Sequence, residues 1–271
     1  MNSKTKDGTA FSLTGLAHAP TMTLIHGLGL CKDLWAPFLA EFEEHFQVLT
    51  YDLYGHGQSG PVPETASLTV YARQIANLMN HLEINKTALV GFSIGGMINR
   101  RFAMDYPGKL STLAILNSPH DRGSEGQQAV EERAKKVREE GGLSTLPAAL
   151  ERWFTPEYRE GNGAGLELVR KWREQTDSES YAQAAWVLAN GVRELIQPKQ
   201  NITAPTLVMT CENDSGSTPA MSEAIAEEIS GSEIEIVSHL KHLGLMEKPE
   251  RFSEPVIRFL KNQLHEKEHT G

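Results

Sequence analysis

Features typical of secreted, membrane-spanning or redox-active proteins are missing from this sequence. Only two cysteines occur among its 271 residues, and Cys31 and Cys211 lie too far apart for a C-x-x-C pair, so two reduced thiols are expected. No run of about 18 apolar residues is present, which argues against a segment that crosses a membrane. The opening residues lack the apolar core of a secretory signal peptide, and we therefore expect a cytoplasmic protein.

Positive charge is also scarce. Lys and Arg number 26 against 35 Asp and Glu, which gives a formal net charge of −9 at pH 7. A protein that coats nucleic acid neutralises phosphates with clustered Lys and Arg, so this balance argues against a nucleic-acid partner. The charge is consistent with solubility.

Short apolar runs alternate with amphipathic stretches over most of the chain, but not between about residues 119 and 200, where only helical pieces follow one another. We therefore predict an α/β fold with a mostly parallel sheet flanked by helices. Residues 1–118 and 201–271 would form this core, and residues 119–200 a helical cap, because the interval is too long for a loop. The predicted strands cover residues 21–27, 46–52, 86–93, 109–118, 204–214 and 232–239.

The helices between these strands show an apolar stripe at helical spacing. One is predicted over residues 31–46, and another follows Ser67, a plausible N-cap. A third is expected from about Ile94 to Asp105.

The segment Gly91-Phe92-Ser93-Ile94-Gly95 fits the pattern G-x-S-x-G where the third predicted strand meets a helix. In that setting the pattern indicates a nucleophile elbow, a sharp turn that exposes the serine hydroxyl above the sheet's carboxyl edge. The glycines let strand and helix approach closely, and the helix N-terminus favours a developing oxyanion. A serine that merely caps the helix is the alternative.

A serine hydroxyl needs a general base, and two of the ten histidines follow the last predicted strand closely. His242 lies in the loop beyond that strand, at the sheet edge that also carries the elbow, whereas His239 is expected to end the strand. The base needs an orienting carboxylate, and Glu212 and Asp214 both follow the fifth predicted strand. We favour His242 and Asp214 because each lies further out in its loop.

Two backbone N–H groups are expected to bind the oxyanion. One belongs to Ile94, the residue after the serine, and the other to Leu28 in the loop after the first predicted strand. His26 in that loop is expected to be buried and to organise it by hydrogen bonds. Asp52 and His56 occupy a second glycine-rich loop, which we interpret as architecture and not as catalytic machinery.

Charged and aromatic residues dominate the predicted cap. The run E-E-R-A-K-K-V-R-E-E is interpreted as a solvated helix face. Trp153 and Tyr158 lie in the non-periodic segment R-W-F-T-P-E-Y-R. They are the candidate substrate-pocket residues, because loop residues carry function more often than helical ones.

The motifs H-G-L-G, D-L-Y-G-H-G-Q-S, G-F-S-I-G-G, E-N-D-S-G-S-T-P and H-L-G-L-M-E-K-P extend in this order over nearly the whole chain. Together they resemble the α/β-hydrolase superfamily, in which the order is nucleophile, acid, base. The resemblance implies Ser93 as nucleophile, Asp214 as acid and His242 as base, beneath a mobile helical cap. It also implies an opening hairpin, reduced here because few residues precede Thr21.

A narrower resemblance is to 3-oxoadipate enol-lactonases, carried by R-W-F-T-P-E-Y-R, G-H-G-Q-S-G-P-V-P and H-L-G-L-M-E-K-P-E-R-F. It implies a serine hydrolase that cleaves a small lactone or carboxylic ester through an acyl-enzyme, with 3-oxoadipate enol-lactone as a candidate substrate. Tyr54 departs from this pattern, because a basic residue is expected there.

Other functions stay open at this point. C–C bond hydrolases, cofactor-free haloperoxidases and small-molecule esterases share most of these motifs, and a non-catalytic ligand receptor can use the same fold. No cofactor is expected, and no metal, because His239 and His242 have no obvious third ligand. A dehalogenase of this type would need Asp in place of Ser93.

Overall fold

The computed structural model describes residues 3–268, and its centre is an eight-stranded sheet. The strand order is β1-β2-β4-β3-β5-β6-β7-β8. The first two strands join the sheet antiparallel, and the remaining neighbours pair in parallel. The strands are β1 (Ser3–Lys4), β2 (Ala10–Gly15), β3 (Thr21–Ile25), β4 (Gln47–Tyr51), β5 (Thr87–Phe92), β6 (Leu110–Leu116), β7 (Thr206–Cys211) and β8 (Glu233–Val237).

This topology confirms the predicted mostly parallel sheet. The six strands predicted from the sequence correspond to β3 through β8. The hairpin of β1 and β2 is indeed reduced, since β1 has only two residues.

Helices cover both faces of the sheet. They are α1 (Leu39–Glu43), α2 (Leu68–His81), α3 (Ile94–Asp105), α4 (Gly123–Glu140), α5 (Leu146–Trp153), α6 (Pro156–Glu160), α7 (Ala164–Gln175), α8 (Ser178–Asn190), α9 (Pro219–Glu228), α10 (Gly244–Glu247) and α11 (Glu250–Glu268). Short 3₁₀ helices occupy Lys32–Phe38, Pro107–Lys109, Gly142–Thr145 and Gly191–Glu194. None of the helices within residues 3–268 is long and apolar enough to cross a membrane.

Alternate residues of the central strands serve two separate hydrophobic cores, because successive strand side chains point to opposite faces. Leu89 of β5 belongs to the core that includes Tyr71 of α2 and Ile98 of α3. Its neighbour Val90 belongs to the core that includes Phe252 of α11. All six residues of β5 are buried, as expected for a central strand covered on both sides.

Two helix predictions can be compared in detail. Ser67 caps α2 as expected, and its side chain accepts a hydrogen bond from the N–H of Val70 at 3.2 Å. The single helix predicted over residues 31–46 is instead a 3₁₀ helix followed by the short helix α1. Pro37 lies inside the 3₁₀ segment, and proline has no N–H for the regular α-helical pattern.

The chain between β6 and β7 contains helices α4 to α8 and, among its described residues, no strand. Val130 and Ala134 of α4 pack with Tyr181 and Ala185 of α8 in a small core of their own. Cys31 and Cys211 are both buried, free thiols elsewhere in the fold.

Candidate active site

Ser93 occupies a strained turn between the end of β5 and the start of α3. Its backbone has φ 58° and ψ −115°, a region that non-glycine residues rarely adopt. Such a conformation costs about 1–3 kcal/mol and is typical of functional sites. The backbone packs so closely on either side of this turn that Gly91 and Gly95 have no room for a side chain. A Cβ on Gly91 would lie 2.2 Å from the carbonyl oxygen of Gly95, and one on Gly95 would lie 2.5 Å from that of Ile25.

The structure brings Ser93, His242 and Asp214 together in one hydrogen-bonded chain. His242 Nε2 lies 3.1 Å from Ser93 Oγ, and His242 Nδ1 lies 2.6 Å from Asp214 Oδ2. All three residues are buried, and Ser93 follows β5 whereas the other two follow β7 and β8. They meet because the carboxyl ends of parallel strands share one edge of the sheet.

The Asp214 carboxylate is held by several donors besides His242. Its Oδ1 accepts the N–H groups of Gly216 at 2.9 Å and Ser217 at 3.0 Å, and its Oδ2 accepts Nδ2 of Asn117 at 2.9 Å. Burial acts to raise the pKa of this carboxyl. The charge of His242 and the hydrogen bonds outweigh burial and hold the pKa below its ordinary value. Asp214 is therefore a carboxylate throughout the neutral range.

Asn117 was not identified from the sequence. It follows β6 at the same sheet edge with φ 47°, in the left-handed region that asparagine tolerates better than most residues. Its position directly after a buried strand, between Ser93 and Asp214 in the chain, is the only sequence feature that points to it.

The two rival residues lie elsewhere. The His239 side chain is 89% exposed, and its backbone N–H donates to Glu212 Oε2 at 2.8 Å. Neither His239 nor Glu212 lines the cavity at Ser93. The geometry therefore pairs Ser93 with His242 and Asp214, the residues favoured from loop position.

His26 has the organising position expected of it. Its Nδ1 donates to the carbonyl of Gly27 at 2.8 Å, and its Nε2 accepts the N–H of Leu53 at 2.9 Å. Complete burial lowers its pKa to about 4, so the ring is neutral at pH 7 and its Nε2 is free to accept. These bonds join the loop after β3 to the loop after β4.

The second glycine-rich loop is also structural. Asp52 accepts the backbone N–H groups of Lys32 at 2.7 Å and Gln58 at 2.9 Å. His56 is buried and bonds the carbonyl of Tyr54 at 3.0 Å. The hydroxyl of Tyr54 donates to the Asp7 carboxylate at 2.7 Å and does not line the cavity. Position 54 thus faces the opening hairpin.

A cavity of about 140 Å³ adjoins the Ser93 hydroxyl. Leu28 and Trp153 line it together with His242, and the ring of Trp153 lies 6.0 Å from the His242 ring. Ile94 is fully buried as the first residue of α3 and does not line the cavity with its side chain. Its expected role uses only its backbone N–H. No group of three or more His, Cys, Asp and Glu among the side chains described, residues 3–263, is arranged to hold a metal ion.

Tyr158 is not a cavity residue, and this placement replaces the pocket role expected from the sequence. Its ring stacks on Phe154 at 5.0 Å, and its hydroxyl accepts the N–H of Gly165 at 3.0 Å. A Cβ on Gly163 would come within 2.2 Å of the same ring. Tyr158 therefore packs the helical segment internally, which the segment's lack of periodicity did not reveal.

Four arginines of the helical segment line the cavity, although no sequence pattern indicated them. They are Arg122, Arg133, Arg152 and Arg173. Arg133 belongs to the run interpreted as a solvated helix face. Its spacing from Val130 and Val137, both buried on the inner face of α4, could have indicated that it borders the cavity.

Comparison with known proteins shows the family to which the chain belongs. The family described as the alpha/beta hydrolase fold matches residues 20–249, and this chain belongs to that family. It is 27% identical to 3-oxoadipate enol-lactonase 2 of Acinetobacter baylyi, over 93% of this chain and 92% of the relative. The predicted family, the hydrolase class and the resemblance to enol-lactonases are thereby confirmed.

Two solved structures share the fold over nearly their full length. The enol-lactonase from Burkholderia xenovorans superposes with a TM-score of 0.85 at 28% identity, covering 96% of this chain and 100% of its own. A thermophilic esterase from Thermogutta terrifontis, solved with malate bound, has a TM-score of 0.85 at 27% identity, covering 97% and 99%.

Proposed function

We propose that this protein is a serine hydrolase that cleaves a small lactone or carboxylic ester through an acyl-enzyme. Ser93 would be the nucleophile, His242 the general base and Asp214 the residue that orients the base. The observation that carries the proposal is the hydrogen-bonded chain from Ser93 Oγ to His242, at 3.1 Å, and on to Asp214, at 2.6 Å.

In the first half-reaction Ser93 Oγ bonds to the carbonyl carbon while its proton passes to His242 Nε2. The carbonyl oxygen becomes an oxyanion, for which the N–H groups of Leu28 and Ile94 are the expected donors. The bond to the leaving oxygen then breaks, and His242 returns its proton to that oxygen. An ionised Asp214 keeps the other ring proton on Nδ1 and stabilises the imidazolium between these transfers.

In the second half-reaction a water molecule attacks the acyl-enzyme carbonyl, and His242 accepts a proton from that water. The bond to Ser93 Oγ breaks, the proton returns to Oγ, and a carboxylic acid leaves. In a lactone the leaving oxygen stays tethered to the acyl group. An enol is a better leaving group than an alkoxide and needs less help from His242 as an acid.

Residues 119–200 are proposed to act as a helical lid over Ser93. The support is that this segment supplies Trp153, Val130 and the four arginines to the wall of a cavity whose floor is Ser93. Closure of such a lid would exclude water and shape the space for the substrate.

The specific candidate substrate is 3-oxoadipate enol-lactone, supported by the similarity to two enol-lactonases. The tyrosine at position 54 does not count against it, because the Tyr54 hydroxyl bonds Asp7 away from the cavity. An esterase of another small ester is supported by the similarity to the thermophilic esterase.

Labelling with a fluorophosphonate and turnover assays test the proposal together. We expect one adduct on the wild-type protein by intact mass, none on Ser93→Ala, and a loss of turnover on the order of 10⁴-fold or more in that variant. The substrates are the enol-lactone, a phenyl ester, a γ-lactone and a C–C cleavage substrate. An active Ser93→Ala protein contradicts the nucleophile. Labelling without turnover of any substrate indicates a receptor instead.

A further inference from the structure

The cavity wall is strongly cationic in a protein that is acidic as a whole. Four guanidinium groups line it, and among the lining residues within the described chain Asp214 is the only carboxylate. Asp214 is already bonded to His242, so it does not neutralise the arginines. The formal net charge of the chain is −9, which makes this local excess of positive charge a selective feature of the cavity.

Arg173 of α7 is buried without a counter-charge. Its exposure is only 5%, and its Nε and Nη1 have no hydrogen-bond partner among the side chains and backbone described over residues 3–263. Its guanidinium carbon lies 3.9 Å from the centre of the Tyr181 ring, a cation–π contact that leaves the N–H groups unused. Burial lowers its pKa to about 9, so it still carries a charge at pH 7. Burying an unpaired charge is strongly unfavourable, which indicates that a bound anion completes this position.

Arg173 also lies beside the loop expected to bind the oxyanion. A Cβ on Gly29 would come within 2.4 Å of Arg173 Nη1 and 3.0 Å of the Tyr181 ring. An anion held by Arg173 would therefore lie close to Leu28 and to the reacting carbonyl.

Arg133 of α4 and Arg152 of α5 form a second cationic position. Neither side chain makes a hydrogen bond or a salt bridge to any described residue, and both line the cavity. Arg133 is exposed and Arg152 half-buried, so this position is open to solvent on one side, unlike that of Arg173. Arg122 differs, because its guanidinium already donates to the carbonyls of Leu188 at 3.0 Å and Ala189 at 3.5 Å.

The two positions come from different helices of the cavity wall. Arg173 lies against Gly29 and Tyr181, whereas Arg133 and Arg152 come from the two helices α4 and α5 that precede it in the chain. Two unpaired cationic positions in one small cavity fit a ligand with two anionic groups.

We propose that this cavity selects an ester or lactone that carries two carboxylates, one bound by Arg173 and the other by Arg133 and Arg152. The inference rests on the proposed hydrolase function and narrows its substrate class: 3-oxoadipate enol-lactone has a single free carboxylate, because its other carboxyl forms the lactone, so an ester or lactone with two carboxylates should be preferred to it. Guanidinium groups suit this role because their planar N–H groups bind carboxylates in pairs.

Four phenyl esters separate the two carboxylates. Phenyl butanoate has none, monophenyl succinate has one on the acyl part, 4-carboxyphenyl butanoate has one on the leaving group, and mono(4-carboxyphenyl) succinate has both. Each kcat/KM is divided by the rate of alkaline hydrolysis to remove intrinsic reactivity. We expect each carboxylate to raise the corrected kcat/KM on the order of 10- to 100-fold, mostly through KM.

The variants Arg173→Gln and Arg152→Gln show which carboxylate of the ester each cationic position binds. The readout is the ratio of charged to neutral ester on the same variant, which a general loss of folding does not change. We expect Arg173→Gln to remove the advantage of one carboxylate and Arg152→Gln that of the other. The matched control is Arg138→Gln, because Arg138 lies on α4 but pairs with Glu179 outside the cavity. It should keep both ratios.

Three results would overturn the inference: wild-type ratios near one, ratios unchanged in both arginine variants, or loss of the same ratio in both. If phenyl butanoate is hydrolysed in a Ser93-dependent way but the ratios are near one, the hydrolase function stands and the selectivity fails. If no ester is hydrolysed, calorimetric titration of the protein with succinate and with butanoate tests the two-anion cavity directly. Succinate should bind at least tenfold more tightly than butanoate and lose that difference in Arg173→Gln. Equal binding would refute the two-anion cavity.

Discussion

The two walls of the cavity are built in opposite ways. On the sheet side, Ser93, His242 and Asp214 bond one another, and further donors from Asn117, Gly216 and Ser217 hold the carboxylate. On the helical side, the cationic groups of Arg133, Arg152 and Arg173 form no salt bridge to a carboxylate whose side chain is described, within residues 3–263.

The difference fits the two proposed roles, proton transfer on the sheet side and ligand recognition on the helical side. Groups that transfer protons must keep a fixed geometry before the substrate arrives, so their hydrogen bonds come from the protein itself. Groups that recognise a ligand must leave their hydrogen-bond donors free, because an acceptor from the protein would compete with the ligand for them. Strain at Ser93 and unpaired charge at Arg173 both reduce stability, and each is placed where function can use it.

The largest effect is expected from a substitution in the sheet wall, the side of the cavity formed by Ser93, His242 and Asp214. His242→Ala should lower kcat on the order of 10⁴-fold or more, because Ser93 then has no base within hydrogen-bond distance. The measurement is kcat and KM for a phenyl ester, beside the matched variant His239→Ala. The His239 side chain is exposed beside Glu212 and does not line the cavity, so its variant should stay within about threefold of the wild type. If His239→Ala is the inactive member, the assignment of the base is wrong.

An intermediate effect concerns the loops that support the sheet wall. His26 and His56 are fully buried, and burial lowers their pKa values to about 4 and about 3. Below pH 6.5 the unfolded chain takes up protons that the folded protein does not, so stability should fall as the pH is lowered from 6.5 to about 4. With two such groups the free energy of unfolding should change by about 2.7 kcal/mol per pH unit in the steepest part.

Urea denaturation between pH 7 and pH 4 measures this dependence. His56→Gln should show about half the slope, and His18→Gln, at an exposed position, should keep the full slope. A stability that stays constant from pH 6.5 to pH 4.5 would contradict neutral buried histidines.

The smallest expected effect sharpens the comparison within the helical wall. Tyr158→Phe keeps the ring stacked on Phe154 and removes only the acceptor for the N–H of Gly165, so stability should fall by about 1 kcal/mol. Its kcat/KM should change less than twofold, roughly the scale of a surface substitution. Trp153→Phe, at a position that does line the cavity, should change KM more than Tyr158→Phe does. If Tyr158→Phe changes KM more than Trp153→Phe does, Tyr158 contacts the substrate and its placement outside the pocket is wrong.

Much of the sheet wall could be predicted because its residues follow local rules. The pattern around Ser93 predicted the elbow, and the strand ends predicted where Asp214 and His242 lie. Asn117 escaped notice because a single asparagine after a strand has no distinguishing pattern, although its Nδ2 bonds Asp214 at 2.9 Å. The prediction of one continuous α-helix over residues 31–46 was wrong, because Pro37 interrupts the α-helical hydrogen bonding.

The sequence by itself determined the order of strands and helices, the strained serine turn and the sheet edge where the reacting groups meet. Each depends on periodicity or on residues close in the chain. Only the tertiary structure decided the helical wall. Whether Arg133 faces solvent or the cavity, and whether Tyr158 packs or binds, depends on how α4, α6 and α7 are rotated against their neighbours. That rotation is set by side-chain packing between helices, and a helical period is the same for either outcome.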